Sequence, residues 1–172
     1  MEIKNFYLKK EVYDLDDLSL NADSYIGGYN NEYLVETIEK NREKHVENGI
    51  LMIEGSIVFI SNYKEIGNIP IFDDLTTLYS YYLNTIEEYL DNGEATFYYP
   101  SQPIEVIIKQ DIGQQTEITI DENSLKVNER FLLEGLLNSS QHFFDILVTR
   151  LMLNKYQHEL TQIESIKKRL TK

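Results

Sequence analysis

Apolar positions along the chain recur at two different periods, and the change from one to the other divides it into segments. Leu75, Leu78, Tyr79, Tyr82, Leu83, Ile86 and Leu90 are spaced three and four apart, the mark of an amphipathic helix. Asp73-Asp74 open that helix with the acids that favour a helix N-terminus, and Asp91-Asn92-Gly93 closes it. The period then becomes two. Ala95 to Tyr99, Ile104 to Lys109 and Thr116 to Ile120 predict strands, with a short edge run at Leu125 to Val127. Their connections are too short for parallel crossovers, so they form an antiparallel meander. Ile104, Val106 and Ile108 share one face and should pack on helices.

Earlier in the chain, Ile3 to Leu8 reads as a strand. Asp14, Asp16, Asp17 and Asp23, with Gly27-Gly28 and Asn30-Asn31, read as an acidic loop. A helix is predicted from Asn31, which caps it, with Glu32 in its first turn. Leu34, Ile38, Arg42 and His45 form its stripe, and Asn48-Gly49 ends it. The runs Ile50 to Ile53 and Ile57 to Ile60, separated by Glu54-Gly55-Ser56, read as a hairpin.

After Asn128 as a cap, Phe131, Leu132, Leu136, Phe143, Leu147 and Leu151 mark a long helix, in which Gly135 and Asn138-Ser139-Ser140 are points of weakness. Leu153, Tyr156, Leu160, Ile163, Lys167 and Leu170 then step by 3, 4, 3, 4 and 3, a heptad-like seam. That seam is covered either by its own domain or by a second copy, which would make a homodimer. The fold class predicted is α+β: a hairpin and a three- or four-strand antiparallel sheet with helices on one face and a long C-terminal helix. Residues 1–152 form a single acidic domain, and 153–172 extend it as an amphipathic helix.

Charge changes the picture. The 172 residues carry 16 Lys+Arg and 29 Asp+Glu, a net −13. Residues 1–149 hold 10 basic and 27 acidic side chains, net −17, whereas 150–172 hold 6 and 2, net +4. An acidic body repels phosphate backbones and anionic lipid, which argues against nucleic acid and membrane as partners; the acidity then either serves only to keep the protein in solution or meets a basic protein. No window supplies a spanning helix and the N-terminus has no secretory pattern, so a soluble cytoplasmic protein is expected. Many Asn, Ile, Lys, Glu and Tyr with only two Ala fit an AT-rich bacterial genome.

Candidate chemistry is sparse. Zero Cys removes disulfides, thiolate metal sites and thiol nucleophiles together. No phosphate-binding loop, dinucleotide fingerprint, nucleophile elbow or His-Glu-x-x-His is present, so no catalytic residue, metal or cofactor is assigned. Asp14-x-Asp16-Asp17 matches only the start of a calcium loop: the glycine and bidentate glutamate positions hold Ser19 and Tyr25. His45 suits a helix C-terminus. His142 and Asp145, three apart, offer two ligands and no metal centre, with His158 too far along to join them. The acid pairs Asp16-Asp17, Asp73-Asp74, Glu87-Glu88 and Asp121-Glu122 read as solvated.

Helical spacing puts Tyr79 and Tyr82 in the core and leaves Tyr81 outside. Tyrosine beside acid is the composition of a surface that binds a basic protein. The reading is a non-catalytic protein-binding module of immunity or antitoxin type, with Asp14, Asp16, Asp17, Tyr81, Glu87 and Glu88 as partner-binding residues. Leu153, Tyr156, Leu160, Ile163 and Leu170 are the dimer seam of the alternative, a dimeric assembly subunit. A third reading is an enzyme using a carboxylate with His142.

Overall fold

The computed structural model describes residues 1–27 and 31–171; the side chains of residues 31–33 lie outside that description. Strand β1 (Glu2–Leu8) is followed by two short helices, α1 (Leu15–Leu20) and α2 (Ala22–Tyr25), and by β2 (Ile26–Gly27). Next come α3 (Asn31–Lys40), α4 (Arg42–His45), β3 (Val46–Glu47), β4 (Ile50–Leu51), β5 (Glu54–Ser61), β6 (Lys64–Ile66) and β7 (Asp73–Asp74). Helix α5 (Leu75–Asn92) leads into β8 (Glu94–Tyr98), β9 (Glu105–Gln110), β10 (Gln115–Ile120) and β11 (Asn123–Asn128). The chain ends in α6 (Glu129–Thr149), a 3-10 turn at Asn154–Tyr156 and α7 (Gln157–Leu170).

The class is α+β, with antiparallel sheets and a helical C-terminus. One sheet has the order β2-β1-β5-β6, with β7 sharing the β6 edge of β5; the other is the meander β11-β10-β9-β8. The meander's inner face carries Ala95, Val106, Ile108, Ile118, Ile120, Leu125 and Val127, all buried, and lies against α5 and α6. Its outer face carries charges whose sign alternates across all four strands, since Glu94 pairs with Lys109, Lys109 with Glu117 and Glu117 with Lys126. Opposite charges facing each other across strands support this pairing.

Helix α5 forms as its sequence requires. Asp74 Oδ1 accepts from Thr77 N at 2.7 Å and from the hydroxyls of Thr76 and Thr77, and Gly93 closes the helix in the left-handed region at φ 75°. Asp74→Ala is expected to cost about 1 to 2 kcal/mol. The check is thermal unfolding, with a fall in melting temperature of roughly 2 to 4 °C per kcal/mol. Tyr79 and Tyr82 are fully buried as their spacing predicts. Tyr79 stacks on Phe143 with centroids 4.7 Å apart, and Tyr82 meets Phe97 edge-on at 5.0 Å.

Several expectations are corrected. Glu54-Gly55-Ser56 is no loop: Gly55 lies inside β5, and β4 pairs instead with β3 across Asn48-Gly49, both at positive φ. Asn-Gly with two left-handed residues suits a tight hairpin turn, so that dipeptide turns a hairpin after α4 has ended at His45. A second such turn, Asn62-Tyr63, joins β5 to β6. The predicted helix from Asn31 breaks at Asn41, which separates Arg42 and His45 from the Leu34 and Ile38 stripe. The acidic segment is two helices rather than a loop. Phe131 is 62% exposed and leaves the α6 stripe, and that helix continues unbroken through Gly135 and Ser139-Ser140.

The turn expected at Gly28 and Asn30 lies outside the described residues, as do the capping oxygen of Asn31 and the Glu32 carboxylate. The C-terminal seam is likewise not one helical stripe. Leu153 precedes the 3-10 turn and Tyr156 sits in it, so only Leu160, Ile163, Lys167 and Leu170 stand on α7, while residues 150–152, with Met152 at φ 57°, separate the seam from α6.

Candidate functional site

The acidic segment 11–24 is the place where exposed apolar and anionic side chains gather. Asp14 begins α1, accepting from Asp16 N at 2.8 Å and Asp17 N at 3.2 Å, which orders a six-residue helix that propensity alone would not hold. Leu18 buries its side chain with Leu8 and Tyr25 in a small satellite core, and this anchors the segment. Asp17 accepts from the Tyr25 phenol and, at 2.7 Å, from Asn21 Nδ2. The phenol and then the amide hold the Asp17 carboxyl below the usual carboxylate range.

The opposite side of α1 meets water. Tyr13 is 89% exposed, Leu15 54% and Leu20 83%, and they stand among Glu11, Asp14, Asp16 and Asp23. Singly exposed apolar residues are ordinary; here three fall within eight positions among acids, with Leu15 and Leu20 five apart and so pointing to different sides of α1. Between Lys10 and Lys40 the sequence has no basic residue. At the margin of this segment, Lys9 Nζ donates to Asp23 O at 3.0 Å and Lys10 lies 3.7 Å over the Tyr25 ring.

The other predicted partner-binding residues sit on α5. Tyr81 is 37% exposed and rests edge-on against Phe97, and Glu88 is exposed. Glu87 is occupied, accepting from Gln162 Nε2 at 2.6 Å, and Asp91 pairs with Arg169 at 2.6 Å. Part of the acidic excess is thus met by the basic C-terminal helix of the same chain. Asp14, Asp16 and Asp17 lie together at the start of α1, whereas Tyr81 faces Phe97 of β8 and Glu87 faces Gln162 of α7, so these two α5 residues are not brought together.

Elsewhere acids are spread over many elements, and several are paired: Glu36 with Lys40, Glu94 with Lys109, Asp111 with Lys126, and Glu134 with Arg130. Asp73 departs from the solvated reading of acid pairs. It is buried and accepts from Ser101 N at 2.7 Å and Asp74 N at 2.8 Å, so it ties the β8–β9 connection to the start of α5.

Along the C-terminal seam, Leu153, Tyr156 and Ile163 are buried within the chain, in the same core as α5 and α6, while Leu160 and Leu170 are partly covered. Spacing missed two residues there. Ile166 is fully buried, and Glu159 is 4% exposed with Oε1 at 2.9 Å from His158 Nε2 and 3.2 Å from Ser80 Oγ. His142 is exposed on a groove between β1 and α6, lined also by Ser139, Asn138, Asn5 and Glu2, whose carboxylate is 3.4 Å from Lys4 Nζ. Among the described residues no three His, Asp or Glu side chains converge as metal ligands would, and no helix is long and apolar enough to cross a membrane.

An α+β domain with acidic N-terminal helices that carry exposed apolar side chains is the class these features define. No protein-family model matches the sequence, and no curated protein or solved structure matches it.

Proposed function

We propose that this chain is a non-catalytic protein-binding module that docks a basic protein, as an immunity protein or antitoxin neutralises its partner. The observation that carries the reading is the exposure of Tyr13, Leu15 and Leu20 among the carboxylates of α1 and α2. Apolar anchors supply affinity at the centre of an interface, and surrounding acids steer a cationic surface and fix its register. Asp14 and Asp17 are held in place by their hydrogen bonds, so this face is preorganised and little ordering is lost on docking. Tyr81 and Glu88 supply a second, smaller acidic and aromatic edge on α5. The seam residues Leu153, Tyr156 and Ile163 already have intramolecular partners, which favours the α1–α2 face over the seam as the place of contact.

Capture on the immobilised full chain from extracts of the native host tests this. A basic protein retained at low salt and released at high salt is expected, because exposed charge pairs are screened within about 10 Å at 0.1 M salt. Retention unaffected by salt, or no retained protein, contradicts the reading.

A further inference from the structure

Where β1 ends, a cleft of about 440 Å³ opens between α4 and the start of β5. It forms because β1 stops pairing with β5 at Tyr7 opposite Gly55, leaving Glu54 to pair only with Asp74 of β7. Exposed Met52 and the edge of the buried core residue Ile53 line it, together with the charged side chains of Lys44 from α4 and of Glu54, Asp74 and Glu11.

The free charges in this cleft are few and distinct. Lys9 and Lys10 also line it, but their ammonium groups are directed to Asp23 O and the Tyr25 ring. Asp74 is engaged as the α5 cap and Glu11 accepts from Tyr13. Among the described residues, neither the Glu54 carboxylate nor the Lys44 ammonium has a hydrogen-bond or ion-pair partner. Lost solvation first, and then the carboxylates of Asp73, Asp74 and Glu11, push the Glu54 carboxyl above its ordinary range. A positive group arriving beside Glu54 would relieve that repulsion.

We propose that the cleft binds a small zwitterion with an apolar side chain, a free α-amino acid or a dipeptide. Its ammonium lies against Glu54 and Asp74, its carboxylate faces Lys44, and its side chain rests on Met52 and Ile53. The volume falls within the range of small-molecule sites. Other ligand classes fit less well. A phosphate ester meets three carboxylates with Lys44 as the one ammonium not already directed elsewhere; a polyamine meets Lys44; a purely apolar molecule strips water from the charged groups without replacing it. The cleft adjoins the protein-docking face, with Glu11, Lys9 and Lys10 at their common border, but its test on Glu54 and Lys44 uses residues outside that face.

The test is a titration of the isotope-labelled full chain, read by amide chemical shifts. The probes are L-leucine, L-alanyl-L-leucine, N-acetyl-L-leucine and L-leucinamide. One of the two zwitterions should give saturable shifts confined to Lys44, His45 and Met52 to Glu54, and its length identifies the ligand as amino acid or dipeptide. For a free amino acid, each blocked form, lacking one charge, should bind more weakly by on the order of tenfold; for a dipeptide, its own N-acetyl and amide forms serve in the same way. Glu54→Gln should erase the advantage over the acetylated form and keep the advantage over the amide, and Lys44→Gln should do the reverse. Both side chains are exposed, so both variants keep the fold. Blocked forms that bind as well as the zwitterion, variants that change nothing, or no saturable shifts in this region up to about 10 mM probe would overturn the proposal.

Discussion

Gly55→Ala is expected to destabilise the protein by about 3 kcal/mol or more, lowering its melting temperature by roughly 6 to 12 °C. A Cβ at this position would lie 2.0 Å from the carbonyl oxygen of Phe6 and within 2.9 Å of the Leu75 side chain. Neither neighbour is free to move. The Phe6 oxygen belongs to β1, which is registered on β5 with Tyr7 opposite Gly55 and Phe6 opposite Ser56. Leu75 is the fully buried first residue of α5. Gly113→Ala is the control, since Gly113 has φ 71° and open space around it. Its expected cost is only the strain of a left-handed alanine, about 1 to 2 kcal/mol. Urea unfolding of both variants measures the difference, and equal costs would mean that β1 does not crowd β5 at this point.

Alkaline unfolding should be the steepest response of this protein to any solution condition. Burial pushes the Tyr79 and Tyr99 phenols up to about 12, and burial followed by the neighbouring Tyr99 phenol pushes Tyr82 well above its ordinary value. The neutral phenol is the form the folded state favours, so the folded pKa lies above the unfolded one. That contribution is complete below pH about 10 and is lost as pH rises from there towards 12. Each of these groups contributes a slope of about 1.4 kcal/mol per pH unit, and three together give about 4 kcal/mol per unit, enough to exhaust a typical domain's stability within a few units. Circular dichroism and phenolate absorbance followed against pH give the check. The last tyrosines should ionise in the same step in which the fold is lost, and Tyr82→Phe should move that step to higher pH. All 13 tyrosines ionising together with the fold intact would contradict the packing around α5.

The parts of the fold legible in the sequence are those where period and boundary signals agree. Helix α5 has its stripe, an Asp cap and a closing glycine at the expected places, and the meander alternates cleanly because one face is buried while the other is charged. Where one residue type serves two purposes, the pattern misleads. Gly55 has the composition of a turn but is needed for close strand approach, and Asn48-Gly49 suits the end of a helix as well as a hairpin. The apparent heptad from Leu153 to Leu170 starts at a 3-10 turn, with Leu153 before it and Tyr156 inside it, and becomes α-helical only from Gln157, which no spacing reveals. Glu159, Ile163, Ile166 and Leu170 step by 4, 3 and 4, so the buried stripe of α7 is itself regular and lies beside the Leu160–Lys167 stripe that the sequence suggested, a choice decided by which side the neighbouring helices cover.

The candidate surfaces divide in the same way. The acids of α1 were visible as a cluster, but the exposure of Leu15 and Leu20 depends on Leu18 being the residue that turns inward. The zwitterion cleft was invisible, because Glu11, Lys44, Glu54 and Asp74 come from four separate segments and no spacing joins them.

The most direct measurement of the central claim is calorimetric titration of the captured basic protein into wild type and into an Asp16→Lys/Asp23→Lys variant. Both side chains are exposed but stand in the first turns of α1 and α2, so the variant should melt a few degrees below wild type, by about 0.3 to 1 kcal/mol per site, and its own unfolding curve fixes that baseline. A face that meets a cationic protein predicts a loss of affinity of roughly a hundredfold on reversal, and a weaker salt dependence in the variant. Equal affinity for the two chains would contradict it.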